Sequence, residues 1–368
     1  MKIMYCTSNF YEHGGIEKML AQKVNYWIQT YGYEVILCTS EQRKKGFVYA
    51  LDPKTRHIDL GINYNRAKSY FHPINVLKSL THYFRLKRLI KESNPDVIVS
   101  VNHTPEQYFI PFLAEKIVTV KEFHASGFSL QAPKTVFEKI KHQLFLLLNR
   151  YHVKVVLNQD EKQYYPFDGI EVIPNFIRPQ IIENKVKSNT IIAAGRIAPV
   201  KQFDHLIAAW AKIALDVPNW EVHIYGTGDE KLSKQLQNQI HQGQVPRIEF
   251  KGATQDLDKR MQEGSIYAMT SATECFPMVL LEAQAAGMAV ISYDCPNGPR
   301  NIITNKVNGL LVESQNIDLF AKELKQLILN PSQQKEIQLK AQENITQYSE
   351  DNVMEKWNGL LLSFIKNV

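Results

Sequence analysis

The sequence predicts an α/β protein made of two doubly wound domains, each with a parallel sheet covered by helices on both faces. Short apolar runs alternate with amphipathic helical segments along all 368 residues, and this alternation is typical of βαβ units. The strand-like runs are apolar at nearly every position, as in parallel sheets that are buried on both sides. One hydrophobic core rarely organises a chain of this length, so we expect two domains with a cleft between them.

The first half contains strand-like and helical segments in alternation. The predicted strands lie in KIMYCTS, EVILCTS, VIVSVN, IVTVKEFH, KVVLN and EVIPN. Apolar residues recur at spacings of three and four in GIEKMLAQKVNYWIQTYG, INVLKSLTHYFRLKRLIKESN, PEQYFIPFLA and VFEKIKHQLFLLLNRY, which predicts helices.

The second half repeats the pattern. Its predicted strands lie in TIIAAGR, EVHIYG, RIEFKG, IYAMTS, AVISYD and GLLVES, and its helices are predicted to begin near Lys201, Glu230, Asp256, Pro277, Pro299 and Ile317. Prolines, asparagines and charges interrupt the pattern at 174–189, so we place one domain at 1–177 and the second at 178–345.

The last segment, 346–368, is predicted to be a helix that crosses back to the first domain. It opens with Ser349-x-x-Asn352, which resembles a capping box. Its apolar side chains fall on one side of the helix and are Val353, Trp357, Leu360, Leu361 and Phe364.

The composition is that of an ordinary globular protein, with 44% hydrophobic and 22% charged residues. The four cysteines contain no C-x-x-C pair, which indicates reduced thiols and a cytoplasmic location. The N-terminus enters a strand directly, and no stretch approaches 18 consecutive apolar residues, so we expect neither a signal peptide nor a membrane span.

The positive charge is concentrated in the first half. Residues 1–177 hold 23 Lys and Arg against 16 Asp and Glu, whereas residues 178–368 hold 20 against 21. This excess suits an anionic membrane surface or a phosphorylated acceptor, and it equally suits a solvated surface. Nucleic-acid motifs are missing from the sequence, so no nucleic-acid partner is expected.

Ligands of open parallel sheets bind outside the carboxyl ends of the strands, so the loops after the strands are the candidate sites. Gly14 and Gly15 follow the first strand and open a helix, where a bare backbone can approach a phosphate or a sugar, or can simply turn tightly. His124 ends a later strand and can donate to a sugar hydroxyl or share a proton, although a lone histidine is often structural.

Two cations follow the first strand of the second domain. Arg196 and Lys201 stand before or at a helix start, where positive charge is unfavourable unless an anion lies between them. A diphosphate would be such an anion. The nearby Gly226-x-Gly228 lacks the third glycine of the dinucleotide fingerprint and is interpreted as a turn, and no P-loop is present.

The stretch ECFPMVLLE places Glu274 before a predicted helix and Glu282 inside it. Pro277 suits the first helical position, which leaves three backbone amides as donors for an anion; these belong to Met278, Val279 and Leu280. Glu282 lies among apolar residues and needs hydrogen-bond donors, which a ribose diol supplies.

Taken together, the Gly-Gly loop, His124, G-R-x4-K and E-x7-E resemble the retaining glycosyltransferases of family 4, which have the GT-B fold. The resemblance extends over essentially the whole chain, and G-R-x4-K with E-x7-E is its specific part. The loop at 297–301 departs from the family, because Asn301 stands where a carboxylate is common. The role of that loop stays open.

The resemblance implies a UDP-sugar donor held mainly by the second domain. Arg196 and Lys201 would neutralise the diphosphate, and Glu282 would hold the ribose. Glu274 would grip the hydroxyls of the sugar together with the backbone after it, at Phe276 and beyond.

From the first domain, Gly14, Gly15 and His124 would close over the donor, and the base would lie against Ala253 and Thr254. The resemblance further implies no bound metal, no separate cofactor and front-face displacement, in which the leaving phosphate accepts the acceptor's proton.

The resulting hypothesis is a transferase that adds a hexose or N-acetylhexosamine to a glycan or lipid-linked acceptor in surface-polysaccharide synthesis. The alternatives are a UDP-sugar epimerase of the same fold and a non-catalytic binding partner. Peripheral contact with an anionic membrane is expected through the helix in 136–151 and the preceding Lys134, although ordinary packing would produce the same pattern.

Overall fold

The protein is described from a computed structural model, which covers residues 1–12, 14–129, 135–178 and 187–366 and omits the side chains of Ser129, Val136 and Phe137. The chain forms two compact units. Unit 1 comprises Met1–Pro174 and Val353–Val368, and unit 2 comprises Asn175–Asn352. Residues 179–186 of the predicted boundary stretch, like Lys134, lie outside the described residues.

Unit 1 contains a seven-stranded sheet in the order β3-β2-β1-β4-β5-β6-β7, with every neighbouring pair parallel. The strands are β1 (Lys2–Thr7), β2 (Glu34–Thr39), β3 (Arg56–Asp59), β4 (Val97–Ser100), β5 (Val118–Glu122), β6 (Val153–Val156) and β7 (Ile170–Val172). The helices are α1 (Gly15–Tyr31), α2 (Pro73–Ser93), α3 (Glu106–Leu113) and α4 (Val136–Leu146).

Unit 2 contains a six-stranded parallel sheet in the order β10-β9-β8-β11-β12-β13. The strands are β8 (Thr190–Ala194), β9 (Glu221–Tyr225), β10 (Ile248–Gly252), β11 (Ile266–Met269), β12 (Ala289–Asp294) and β13 (Leu310–Glu313). The helices are α5 (Phe203–Ile213), α6 (Glu230–Gln242), α7 (Leu257–Glu263), α8 (Met278–Ala285), α9 (Ile317–Leu329) and α10 (Pro331–Ile345). The predicted α/β class with two parallel sheets is confirmed.

Three elements differ from the prediction. β3 was not predicted, because its sequence RHID is polar and the strand lies at the sheet edge with both ends exposed. The helix expected near Pro299 is only the 3-10 turn Pro299–Asn301. α10 was missed because its sequence is mostly polar and buries only Ile337 and Ala341.

The core of unit 2 lies between its sheet and the covering helices. Trp210 and Phe320, from α5 and α9, are fully buried against the apolar strands. The Trp210 indole donates to the Pro246 carbonyl at 2.8 Å, so this buried polar group is satisfied. Strands of this kind hold the loops at their carboxyl ends in fixed positions.

The last helix, α11 (Glu350–Ile365), begins in unit 2, and its residues from Val353 onward belong to unit 1. Ser349 Oγ accepts a bond from the Asn352 amide at 3.4 Å, at the position of the predicted cap. The buried residues are Val353, Met354, Trp357 and Leu361. Met354 was not predicted, and the predicted Leu360 and Phe364 are only half-buried.

All four cysteines are free. Among the helices in the described part of the chain, none combines the length and the apolar composition needed to cross a membrane.

Candidate functional site

Backbone hydrogen bonds join the loops that follow β8, β9 and β10. The Gly195 amide donates to the Tyr225 carbonyl at 3.0 Å, and the Gly226 amide donates to the Gly252 carbonyl at 2.8 Å. A Cβ atom at Gly226 would lie 1.9 Å from the Gly195 oxygen, so only glycine permits this approach. The first glycine of the predicted turn is therefore a packing element that fixes the loop after β8.

The loop after β8 is also tied to the loop after β11, the neighbouring strand on its other side. Thr270 Oγ1 donates to the carbonyls of Lys201 and Gln202 at 3.3 and 2.9 Å. The Ala272 amide donates to the Val200 carbonyl at 2.8 Å. These bonds bring the G-R-x4-K segment beside the start of the E-x7-E segment.

Lys201 and Glu274 form an ion pair at this junction. Lys201 Nζ lies 2.6 Å from Glu274 Oε1, and the two side chains are 21% and 16% exposed. A Cβ atom at Gly195 would lie 3.2 Å from Lys201 Cε, so the glycine leaves room for the lysine side chain to pass. Lys201, which is predicted to bind the diphosphate, and Glu274, which is predicted to bind the sugar, are thus in direct contact.

Arg196 lies in the same loop and is exposed. Its guanidinium makes no ion pair with any residue in the described ranges. Because Lys201 is neutralised by Glu274, Arg196 is the uncompensated charge of the G-R-x4-K motif. An anionic ligand at this edge of the sheet would meet that charge first.

The start of α8 differs from the prediction in two respects. Pro277 precedes the helix as its N-cap instead of occupying the first helical position. The Leu280 amide, predicted to be free, donates to the Pro277 carbonyl at 3.0 Å. The amides of Met278 and Val279 have no acceptor among the described residues, so two donors remain where three were expected.

Both acids of E-x7-E raise the pKa of one buried tyrosine, Tyr267. Glu282 is half-buried in the second turn of α8. Burial, and then the charges of Glu274 and Glu282, raise the pKa of Tyr267, whose hydroxyl donates to the Ala194 carbonyl at 3.0 Å. The two carboxylates therefore influence the same region, at the carboxyl ends of β8 and β11.

Two hydroxyl groups that the sequence analysis overlooked lie just before Glu274. Ser271 is fully buried, and neither Ser271 Oγ nor Thr273 Oγ1 has a hydrogen-bond partner in the described part of the chain. Buried polar groups without partners are rare in folded proteins. The signal in the sequence was the hydroxyl-rich run Thr270-Ser271-Ala272-Thr273 directly after β11.

Phe276 belongs to the core of unit 2. It is buried, and its ring centroid lies 5.9 Å from that of Tyr348. Tyr348 donates its hydroxyl to the Asn301 carbonyl at 2.8 Å. The Phe276 side chain thus supports the loop at 297–301, and only its backbone remains available for the predicted contact with a sugar.

The loop at 297–301 packs directly on the segment that carries Glu274. The Glu274 amide donates to the Pro296 carbonyl at 3.4 Å. A Cβ atom at Gly298 would lie 2.6 Å from Pro277 Cδ and 2.8 Å from Glu274 Cβ. Asn301 donates its side-chain amide to the Asn297 carbonyl, so it stabilises the loop itself.

Ala253 and Thr254 follow the edge strand β10, whose neighbours in the sheet are β9 and then β8. Thr254 Oγ1 accepts a bond from the Asp256 amide at 3.1 Å, and Ala253 is exposed. The two residues lie two strands away from the Lys201 loop along the same edge of the sheet.

Asp256-Leu257-Asp258 is a D-x-D sequence, and it lies at the start of α7. No group of three or more His, Cys, Asp or Glu side chains within the described ranges is placed to hold a metal ion.

In unit 1, Gly14 is the N-cap of α1 and Gly15 is its first residue. A Cβ atom at Gly14 would lie 2.1 Å from Glu17 Oε2, whereas one at Gly15 would meet nothing within 4 Å. Burial raises the pKa of Glu17, and a bond from its own backbone amide opposes that rise. The carboxyl group of Glu17 therefore covers the helix end that the sequence analysis assigns to an anion or a sugar.

His124 follows β5 and belongs to a buried charged cluster. Its Nε2 lies 3.0 Å from Glu122 Oε2, and Lys23 Nζ lies 2.6 Å from the same oxygen. Trp357 completes the cluster, because Lys23 Nζ lies 4.2 Å from its ring centroid. All three charged or titratable side chains are nearly inaccessible to solvent.

The cluster determines the protonation of His124. Burial alone would raise the pKa of Glu122, but Lys23 and His124 lower it to about 2. Burial lowers the pKa of His124, although Glu122 opposes this shift. The lowered pKa keeps the ring neutral. Nε2 of the neutral ring donates a hydrogen bond to the Glu122 carboxylate, so Nδ1 carries no proton and can only accept one. The sequence had also allowed His124 to donate a hydrogen bond to a sugar hydroxyl.

The fold has known counterparts. Over 98% of this chain and 99% of the other, it superimposes with a TM-score of 0.79 and 15% identity on a crystal structure of a mutant of S. aureus TarM in complex with fondaparinux, alpha-GlcNAc-glycerol and UDP. It also superimposes with a TM-score of 0.77 and 18% identity on the lipopolysaccharide outer core galactosyltransferase WaaB, over 99% of each chain. The two parallel-sheet units have the GT-B fold.

Comparisons of the amino-acid sequence identify relatives among the glycosyltransferases. Residues 176–347 match the family described as Glycosyl transferases group 1. The chain is 26% identical to an uncharacterized glycosyltransferase of Haemophilus influenzae, over 98% of this chain and 99% of the relative. It is 28% identical to the amylovoran biosynthesis glycosyltransferase AmsD of Erwinia amylovora, over 76% of this chain and 81% of the relative. Unit 2 thus carries a domain of the Glycosyl transferases group 1 type.

Proposed function

We propose that the protein transfers a hexose or N-acetylhexosamine from a UDP-sugar to a glycan or lipid-linked acceptor in surface-polysaccharide synthesis, with retention of configuration. The observation that carries this proposal is the ion pair of Lys201 with Glu274 at the carboxyl edge of a parallel sheet, with the uncompensated Arg196 in the same loop. Cations and a carboxylate at one place suit a ligand that joins a diphosphate to a sugar.

The diphosphate is assigned to Arg196, Lys201 and the start of α8. The Arg196 guanidinium supplies the uncompensated positive charge, and the Lys201 ammonium group, paired with Glu274, adds a further donor. The Met278 and Val279 amides add donors at a helix N-terminus. In this assignment the cations and the helix end stabilise the leaving group without a bound metal.

The sugar and the ribose are assigned to the two acids. Glu274 accepts hydrogen bonds from sugar hydroxyls, and Glu282 accepts them from the ribose diol. Ser271 and Thr273 offer hydroxyl groups whose hydrogen-bonding capacity is not used within the described chain. His124, as an acceptor at Nδ1, suits a further sugar hydroxyl, and the base is assigned to Ala253 and Thr254.

The proposed reaction is a front-face displacement. The acceptor hydroxyl oxygen forms a bond to the anomeric carbon while the bond from that carbon to the diphosphate oxygen breaks. The departing diphosphate takes the proton of the acceptor hydroxyl, so that UDP leaves on the face where the new bond forms. Arg196 and Lys201 stabilise the charge that develops on the leaving oxygen.

The relatives support the choice of donor and pathway class. AmsD is named an amylovoran biosynthesis glycosyltransferase, and WaaB is named a lipopolysaccharide outer core galactosyltransferase. The S. aureus TarM structure contains UDP together with alpha-GlcNAc-glycerol. The epimerase alternative is not favoured, because these similarities are to glycosyltransferases. We place the protein in the cytoplasm, at the inner face of the membrane where lipid-linked acceptors are extended.

The first experiment is a thermal-shift comparison of UDP, GDP and ADP and of their sugar conjugates. A ligand that binds only the folded protein raises its melting temperature. We expect UDP and a UDP-sugar to raise it, and we expect Lys201→Ala to abolish the rise. A larger rise with GDP or ADP would contradict the assignment of the donor.

The second experiment separates the three candidate functions. The UDP-sugar found by thermal shift is incubated with and without an oligosaccharide acceptor, and the products are identified by NMR. A retaining transferase yields a linked product that keeps the donor's anomeric configuration, and only when an acceptor is present. An epimerase yields an altered UDP-sugar without any acceptor, and a binding protein yields neither product.

A further inference from the structure

The outer face of α2 exposes a row of large apolar side chains. Leu77, Leu80 and Phe84 are 67%, 55% and 64% exposed, and Ile74 and Val76 are about half exposed. The spacing of three and four residues places Leu77, Leu80 and Phe84 on one side of the helix, along about 10 Å of its length. Exposed apolar rows of this kind mark interaction surfaces in soluble proteins.

The row is not the core side of the helix. α2 buries His82, Leu86, Leu89 and Ile90, which lie on the opposite side. An ordinary surface helix is polar on the side away from its core. Packing within unit 1 accounts for that opposite side, which buries Asn75 and His82 in the first half of α2 and the apolar Leu86, Leu89 and Ile90 in the second half. It does not account for the outer apolar row.

The same outer side becomes basic toward the end of the helix. Lys87, Arg88 and Lys91 continue the row beyond Phe84 and are exposed. Arg88 pairs with Glu92 at 2.6 Å, whereas Lys87 and Lys91 have no ion-pair partner in the described part of the chain. α2 carries five basic residues and one acidic residue, within a half of the chain that holds the whole positive excess.

We propose that the outer face of α2 docks on an anionic lipid surface. The apolar row of Leu77, Leu80 and Phe84 enters the boundary between headgroups and acyl chains, and Lys87 and Lys91 contact the anionic headgroups. The proposal deepens the proposed function and rests on it, since it names the surface that brings the enzyme to a lipid-linked acceptor.

A second copy of the chain fits this face less well. A symmetric contact uses the same patch on both copies. If the helices ran antiparallel, the basic half of each would cover the apolar half of the other. If they ran parallel, Lys87 and Lys91 would face their own counterparts. Both arrangements leave charges unpaired or apolar side chains against lysines.

The sequence predicted a membrane contact for α4. Among the described side chains of that helix, one large apolar side chain is exposed, Ile140 at 51%, against five on α2. Phe145 is half-buried and packs against the core of unit 1, with its ring centroid 5.0 Å from that of Phe167. Leu146 and Leu147 are half-buried. The structure thus favours α2 over α4 as the apolar contact.

The test is flotation of the full-length protein with vesicles of phosphatidylcholine, with and without phosphatidylglycerol, at low and high salt. We expect flotation only with phosphatidylglycerol and at least a tenfold loss of bound protein in the triple variant Leu77→Ser, Leu80→Ser, Phe84→Ser. The matched control replaces three exposed leucines of unit 2, Leu215, Leu329 and Leu339, by serine and should float like the wild type. Thermal melting of both variants verifies that they fold.

Three results would overturn the proposal. The wild type could fail to float at low salt, the triple variant could float as well as the control, or light scattering could reveal a dimer that only the α2 variant loses. A transferase assay with a water-soluble acceptor keeps the two proposals apart. The α2 variant should keep its turnover there, whereas absence of turnover in the wild type would count against the proposed function alone.

Discussion

Lys201 Nζ lies 2.6 Å from Glu274 Oε1, so one ion pair joins the cation assigned to the diphosphate with the carboxylate assigned to the sugar. Both side chains are mostly shielded from water, and removing one partner leaves the other without its counter-charge. The pair connects the loops after β8 and β11, and variants of its two members should separate binding from turnover.

We expect Lys201→Ala to weaken UDP binding at least tenfold, because it removes a positive charge from the diphosphate site. Glu282→Ala should weaken UDP binding similarly through the ribose. Glu274→Ala should lower kcat by two or more orders of magnitude with little change in UDP affinity, because its contacts are with the transferred sugar. Calorimetric titration with UDP and steady-state kinetics measure the two effects. Equal and mild effects in all three variants would contradict the assignment.

Gly226→Ala should destabilise the protein by about 2 kcal/mol or more, because its Cβ would lie 1.9 Å from the Gly195 oxygen and one backbone would have to move. The displaced loop carries Lys201, so UDP affinity should fall as well. Gly359→Ala is the matched control, since it lies within α11 with nothing within 4 Å of the added Cβ. Urea unfolding should find the control as stable as the wild type, or more stable by about 0.5–1 kcal/mol.

Gly15→Ala tests whether a ligand approaches the start of α1. A Cβ at Gly15 meets no protein atom within 4 Å, so the variant should melt at the wild-type temperature. If a donor sugar or phosphate lies against this backbone, the methyl group should nevertheless lower kcat/KM at least tenfold. Unchanged kinetics would mean that Gly15 serves only the turn into the helix.

Glu122→Gln should destabilise unit 1 by about 3 kcal/mol, because it leaves Lys23 buried without its counter-charge. The double variant Lys23→Met, Glu122→Met removes both members of the ion pair, and most of the stability should return. Urea unfolding at pH 7 measures both. A double variant less stable than Glu122→Gln would show that packing, and not charge, is the main contribution of this pair.

The same pair predicts the direction of acid destabilisation. The pKa of Glu122 is lowered to about 2 in the folded protein from an ordinary 4.5, so the unfolded chain binds more protons between these values. The stability that Glu122 contributes is complete above pH 4.5 and is lost as the pH falls toward 2. Between pH 5 and pH 3 the wild type should therefore lose more stability than the Lys23→Met, Glu122→Met variant, as urea unfolding at the two pH values would measure.

Much of the architecture could be predicted because hydrophobic periodicity is local. Apolar runs such as those of β1 and β12 are buried along nearly their whole length, as the sequence predicts for parallel sheets. β3 and α10 were missed because their polar sequences are stabilised by neighbouring elements more than by their own pattern. A helix was predicted near Pro299, but the chain forms only a short turn there. The neighbouring Gly298 packs closely against Glu274 and Pro277, a tertiary contact that local periodicity does not reveal.

The sequence by itself determined the α/β class, the alternation of strands and helices, and the loops in which Arg196, Lys201, Glu274 and Glu282 stand. Only the tertiary structure decided that Lys201 meets Glu274, 73 residues later, and that Lys23 meets Glu122, 99 residues later. The apolar row on α2 has a spacing visible in the sequence, but its exposure depends on which side of the helix the sheet covers. Periodicity is a property of neighbouring residues, whereas these contacts follow from strand order and packing, which bring distant segments together.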